Sequence, residues 1–203
     1  MATTTPNYGW PVPTNTDYVK DGANAIADLG DAIDATVFGL PAPASGLTLV
    51  KTQTIGTAVT SVTVTDAFSA TYDNYKIMMS GGVSSLATTL FSMKLGATSS
   101  EYYSAGYYLP YSGGAIALQY NNTSSWGSLG GIGQVNGLFA DIDLSSPFLA
   151  KRTRIRSPYF DNSGQASMLG YMNNNTSHTD FTLTPGGGTL TGGTIRVYGY
   201  QNS

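Results

Sequence analysis

The sequence predicts a mainly β protein, with a short N-terminal coiled-coil helix followed by an antiparallel, jelly-roll-like β-sandwich. Three observations carry this. Near the front, Val19, Gly22, Ile26, Leu29 and Ile33 recur in a 3-4-3-4 rhythm, the seam of a coiled coil. Behind them, short runs rich in β-branched and aromatic residues alternate with turn residues at regular intervals. Charged residues make up only 10% of the 203-residue chain against a usual ~25%, while the hydrophobic fraction of 41% is ample for a core.

Residues 1–15 carry three prolines and no periodic pattern, and Pro11-Val12-Pro13 is held extended by the proline rings. This reads as an attachment arm. Tyr8, Trp10 and Val12 alternate along it, so Tyr8, Trp10, Pro11 and Val12 offer an apolar row to a neighbouring surface.

The helix is expected over 16–36, with Thr14, Asn15 or Thr16 capping its first amides and Asp17 at the positive end of its dipole. Val19, Ile26 and Ile33 take position a of the heptad, Gly22 and Leu29 position d. Such a seam needs partner helices. The chain has no second helical pattern, so the partners are copies of this segment from other subunits. Isoleucine at a suits a trimer as well as a dimer, and the seam is too short to choose. Residues 37–46 read as a stiff linker, because Pro41 and Pro43 block helical continuation.

The β region spans 47–203. Strands are expected at 47–54, 61–68, 75–80, 88–95, 102–109, 115–120, 138–144, 152–159, 166–172, 180–183 and 194–200. Turn signals such as Ser112-Gly113-Gly114 and Pro185-Gly186-Gly187-Gly188 divide them. A solenoid would show a fixed repeat, and none is present.

A net charge of −3 with only 9 basic residues argues against nucleic-acid binding. Without cysteine there is no disulfide or thiolate chemistry. The one histidine, His178, sits in a polar loop, no G-x-S-x-G surrounds any serine, and no metal-ligand spacing occurs. No cofactor and no metal are expected, and no catalytic residue is assigned. Asp141 and Asp143 share one strand face, the minimum for two-carboxylate glycoside chemistry with Glu101 as a third group, yet an exposed strand face explains them better. Gly130-Gly131-Ile132-Gly133 and Gly186-Gly187-Gly188 open no helix, so they read as turns or close strand packing rather than phosphate cradles. The opening residues lack a basic and an apolar signal region, and no run is long and apolar enough to span a bilayer, so neither secretion nor membrane insertion is expected.

Two clusters suit a glycan. Tyr102, Tyr103, Tyr107, Tyr108, Tyr111, Tyr120 and Trp126 form the densest aromatic region, flanked by amides and hydroxyls that can fix sugar hydroxyls while a ring stacks on the pyranose. Arg152, Arg154 and Arg156 alternate along one strand face, placed to grip an anionic sugar or to pair with acidic groups of a neighbouring subunit.

The opening Tyr8-Gly9-Trp10-Pro11-Val12-Pro13-Thr14, running into Val19-Lys20-Asp21-Gly22-Ala23 and Leu29-Gly30-Asp31-Ala32-Ile33-Asp34, resembles the N-terminal segments of minor tail, tail-fibre and other virion appendage proteins of tailed bacteriophages. The ending Gly193-Thr194-Ile195-Arg196-Val197-Tyr198-Gly199-Tyr200 is similar to the last strand of their β-rich tips. The resemblance implies a homotrimer, made in the host cytoplasm and placed on the virion. Its N-terminal arm would dock on other virion proteins, and its β domain would bind host-surface polysaccharide. A capsid decoration or head-fibre protein without receptor binding, and a small polysaccharide-degrading spike, are the alternatives.

Overall fold

The computed structural model describes residues 3–12, 14, 18–40, 46–131, 137–161 and 163–202. The chain divides into two compact units, 1–44 and 45–203.

In the first unit, β1 (Thr3–Thr4) pairs antiparallel with β2 (Pro11–Val12), and a single 3-10 turn (Val19–Asp21) leads into α1 (Gly22–Gly39). The arm expected to be extended over 1–15 is therefore folded into a small hairpin. Its turn is closed by Gly9 N donating to the Thr5 carbonyl at 3.0 Å and Thr5 N donating to the Trp10 carbonyl at 2.9 Å. Of the residues expected to cap the helix, Asn15 and Thr16 lie outside the described residues, as do Asp17, expected at the positive end of the dipole, and linker residues 41–45. Asp21 takes the cap position and makes no side-chain capping bond.

The helix also runs further than 36, through Val37, Phe38 and Gly39 of the expected linker. The physical reason is proline placement. Pro41 disfavours helical geometry only at the residue before it, and Leu40 is extended at φ −65°, ψ 129°, so nothing stops the helix earlier.

The second unit is built of antiparallel strands: β3 (Leu47–Thr54), β4 (Val62–Val64), β5 (Asn74–Gly81), β6 (Val83–Ser84), β7 (Leu90–Leu95), β8 (Tyr102–Pro110), β9 (Ile116–Thr123), β10 (Trp126–Gly131), β11 (Leu138–Ser145), β12 (Arg154–Phe160), β13 (Gly164–Met172), β14 (Phe181–Pro185), β15 (Leu190–Thr191) and β16 (Thr194–Tyr200). β11 is the hub. It pairs with β5 along its whole length, and on its other side with β10 at Phe139 and β12 from Asp143 to Ser145. A long path therefore runs β3, β16, β5, β11, β12, β13, β8, β9, while a short branch runs β10, β7, β14, β4. β6 and β15 form a separate small ribbon.

Strict alternation puts one face of each strand in the core: in β11, Leu138, Ala140, Ile142 and Leu144 are buried while Phe139, Asp141, Asp143 and Ser145 are not. Buried residues of both sheet paths form one apolar cluster that includes Tyr75, Phe91, Trp126, Phe181 and Val197.

β10 falls where the sequence suggested turns. Gly127, Gly130 and Gly131 lie in it: a Cβ on Gly127 would press on the Tyr120 ring at 3.1 Å, and backbone leaves no room at the other two, where a Cβ on Gly131 would stand 2.7 Å from the Thr89 carbonyl oxygen. Two register shifts against β7 mark the same crowding as bulged pairing, with Gly130 at φ +66°.

Candidate functional site

The outer face of the long path carries the candidate site, and strand register builds it row by row. Asp143 stands opposite Lys76 of β5 and Arg156 of β12, and Arg156 opposite Leu169 of β13. Two residues along, Ser145 stands opposite Arg154, Arg154 opposite Tyr171, and Tyr171 opposite Tyr103 of β8. Cross-strand neighbours on one face are in contact range, so these rows are interaction units.

The first row is an ion-pair network. Lys76 Nζ donates to Asp141 Oδ1 and lies 3.6 Å from Asp143 Oδ1. Arg156 donates to Asp143 Oδ2 at 2.7 Å, and the Tyr200 hydroxyl donates to Asp143 Oδ1 at 2.7 Å. Burial pushes the Asp143 carboxyl up, but the Tyr200 and Arg156 hydrogen bonds, with the charges of Lys76 and Arg156, outweigh it and hold the carboxyl below its ordinary value. Burial, reinforced by the hydrogen bond to Asp143, pushes the Tyr200 phenol up to about 12. Asp141 and Asp143 do share a face, and both are already engaged by cations of the same chain.

The second row is aromatic and cationic. Tyr103 and Tyr171 stack with centroids 5.2 Å apart and planes 8° apart, and the Arg152 guanidinium lies over the Tyr171 ring at 5.6 Å. Arg152 precedes β12 rather than lying in it as expected, yet Arg152, Arg154 and Arg156 all remain exposed, with Thr153, Ile155 and Ser157 buried between them. Leu169, 56% exposed, ends the first row, two residues from Tyr171 of the second. Two depressions meet here, of about 480 and 460 Å³, both lined by Arg154, Ile155 and Leu169. The first extends to Asn74, Ser145 and Tyr200, the second to Arg152 and Tyr171.

The aromatic residues named from sequence are dispersed. Tyr103 and Tyr107 reach the outer face, and Tyr111 is exposed in the turn after β8. Tyr102 and Trp126 are corrections: both are fully buried, edge to face at 4.9 Å, and cannot meet a ligand. The Tyr102 hydroxyl accepts from Leu95 N at 2.7 Å, and burial raises its pKa to about 12. Tyr120 is half-buried against the core, its hydroxyl 2.7 Å from Ser128 Oγ. Tyr108 lines a separate cleft of about 370 Å³ with Tyr159 and Asp161.

Sequence reasoning passed over Tyr171, Leu169, Tyr200, Asn74 and Ser145. For two of them a signal existed: with Met168 and Met172 as core residues of β13, the odd positions Leu169 and Tyr171 must share the opposite face. The others needed the register of strands far apart in sequence.

In the first unit the expected attachment and seam residues meet one another. Trp10 Nε1 donates to Thr36 Oγ1 at 2.9 Å, and that hydroxyl donates to the Ala32 carbonyl at 2.8 Å. Tyr8 stacks on Trp10 at 5.1 Å. Pro11 and Val12 are half-buried in β2, which packs on α1. The arm's apolar row thus has a partner in its own helix. Of the expected seam, Gly22 and Leu29 at d and Ile33 at a are half-buried, while Val19 and Ile26 at a are 97% and 67% exposed.

Among the described residues no group of three or more metal-ligating side chains gathers, and no helix is long and apolar enough to cross a membrane. Comparison with protein-family models, curated proteins and solved structures finds no match.

Proposed function

We propose that this chain is a structural, non-enzymatic component of a tailed-phage virion: a homotrimeric tail fibre or tail appendage that binds host-surface polysaccharide. The first unit trimerises and attaches to other virion proteins, and the second is a β-sandwich of jelly-roll type that meets the glycan. The observation that carries this reading is the open edge of α1. An 18-residue helix with no buried residue is marginal alone, and Ile26 on α1 and Val19 in the turn before it are bare, while Ile33 is half-buried. Association of copies through Val19 and Ile26 removes this exposed surface, while Thr36 stays on the arm through its bond to Trp10. The N-terminal resemblance to phage appendage segments supports the same assignment. Weak sugar sites repeated on three joined subunits then act by avidity.

Two measurements on the full chain test this. Light scattering at micromolar concentration is expected to give the trimer mass, and Ile26→Asp the monomer mass with unchanged near-ultraviolet circular dichroism. A glycan array is expected to show binding. A monomeric wild-type chain defeats the trimer, and an array without binding defeats the adhesive role.

A further inference from the structure

We propose that the paired depressions beside Arg154 form a site for acidic polysaccharide, taking a sugar carboxylate between Arg152 and Arg154 and the neighbouring ring along Leu169 and Tyr171. This rests on the glycan-binding reading above and names its substrate class.

Charges on the sheet face are unevenly matched. Lys76 and Arg156 are matched by Asp141 and Asp143, two cations against two anions, so that network is neutral. Arg152 and Arg154 are different. Among the described residues neither has a carboxylate within ion-pair distance, and both guanidinium groups are exposed. Beside the two depressions the face therefore holds an excess of two positive charges, apart from Arg196 on β16, in a chain whose net charge is −3.

Shape agrees with charge. Arg154 lines both depressions, and Arg152 borders the second above the Tyr171 ring, so an anion there meets planar donor forks suited to bidentate pairing with a carboxylate. Leu169, 56% exposed, and the part of Tyr171 that Tyr103 and Arg152 leave uncovered supply apolar surface beside the arginines for a pyranose. Asn74, Ser145 and Tyr200 place amide and hydroxyl groups at the far end, where a second sugar would present its hydroxyls. Together the depressions span more than one sugar, so a short oligomer of alternating or repeated uronic acids matches the site.

The test uses the full chain and a panel of uronic-acid oligosaccharides: galacturonate, mannuronate and glucuronate-containing tetramers. Each is paired with its carboxyl-reduced form, in which the ring is kept and the charge removed. At least one acidic tetramer is expected to bind at least tenfold more tightly than its reduced partner, with affinity falling as salt rises. Arg154→Gln and Arg152→Gln are each expected to weaken that binding about tenfold. Arg196→Gln, which removes the same charge from the same face but from a side chain bonded to Ser80 at 3.2 Å, is expected to leave it unchanged. Equal binding of acidic and reduced tetramers overturns this proposal and leaves the adhesive reading standing, whereas absence of binding to any glycan overturns both. If Arg152→Gln and Arg154→Gln change the mass of the assembly by light scattering and not the glycan affinity, the face is a subunit contact and the proposal fails.

Discussion

Arg156 and Asp143 face each other across the β11 and β12 pair at 2.7 Å, but they do not share the pairing equally. The Asp143 side chain is 18% exposed and that of Arg156 is 65% exposed. Asp143 also accepts the Tyr200 hydroxyl, so it anchors three strands at once. Asp143→Ala is therefore expected to cost about 1–3 kcal/mol in urea unfolding at neutral pH, because it leaves the Tyr200 hydroxyl without its acceptor and takes from Lys76 one of its two carboxylates. Arg156→Gln is expected to cost less than about 1 kcal/mol, since solvent screens the exposed partner. The pH dependence follows from the lowered Asp143 pKa: the unfolded chain takes up the proton first, so the stability from this carboxylate is present above about 3.9 and is lost as pH falls through the folded value. Asp143→Asn should flatten that acid limb. Equal costs for the two substitutions at neutral pH would contradict this division.

His178 gives a second, separate pH window. It is 5% exposed and its Nε2 has no hydrogen-bond partner among the described residues. Burial lowers its pKa below the ordinary imidazole value, with the nearby Asp180 charge opposing only in part. The unfolded chain binds the proton more readily, so stability is complete above about 6.5 and declines as pH falls toward the folded value. Unfolding midpoints measured from pH 7.5 to 5 should show this decline, and His178→Gln should remove most of it. A wild-type midpoint flat across that range rules the assignment out.

Strand rhythm made β3 and β16 readable to their end residues, because each is a β-prone run that starts directly after a glycine, Gly46 or Gly193. β10 was not expected as a strand, since Gly130 and Gly131 read equally as turns or as close strand packing until the backbone beside them, 2.5 to 2.7 Å from where a Cβ would stand, is known. The arginine row was legible for the same period-2 reason as the strands. Its chemical division was not: Asp143 neutralises Arg156 through a register joining segments about a dozen residues apart, and Tyr171 reaches Arg152 through β13 pairing. The tyrosine cluster misled because density in sequence says nothing about face. Even-numbered Tyr102 points into the core and odd-numbered Tyr103 away from it.

Gly170 connects core and site. A Cβ there would stand 2.5 Å from the Tyr103 carbonyl oxygen, 2.7 Å from Ser104 Cβ and 3.0 Å from Trp126 Nε1. Backbone atoms cannot yield cheaply, so Gly170→Ala is expected to destabilise by about 1–3 kcal/mol through overpacking. The strain falls between Tyr171 and the indole whose Nε1 donates to the Tyr171 carbonyl at 3.4 Å. Loss of the near-ultraviolet tryptophan signal should accompany the lower unfolding midpoint. A variant as stable as wild type would show that β13 shifts freely against β8.

The arm and helix of the first unit hold together through few contacts, and one of them is a directed hydrogen bond. Trp10 Nε1 donates to Thr36 Oγ1, which is itself fixed by its bond to the Ala32 carbonyl. Thr36→Val keeps the shape of the side chain but removes the acceptor, leaving the half-buried indole without that bond. The loss is about 0.5–1.5 kcal/mol, the net worth of one hydrogen bond. Hydrogen exchange read by mass spectrometry is the suitable measure, because it reports opening segment by segment. Peptides covering 22–39 are expected to exchange about two- to tenfold faster in Thr36→Val, while those covering β11 to β13 keep their wild-type rates. Unchanged exchange over 22–39 would mean that the stacked Tyr8 and Trp10 rings, and not the hydrogen bond, seat the arm on the helix.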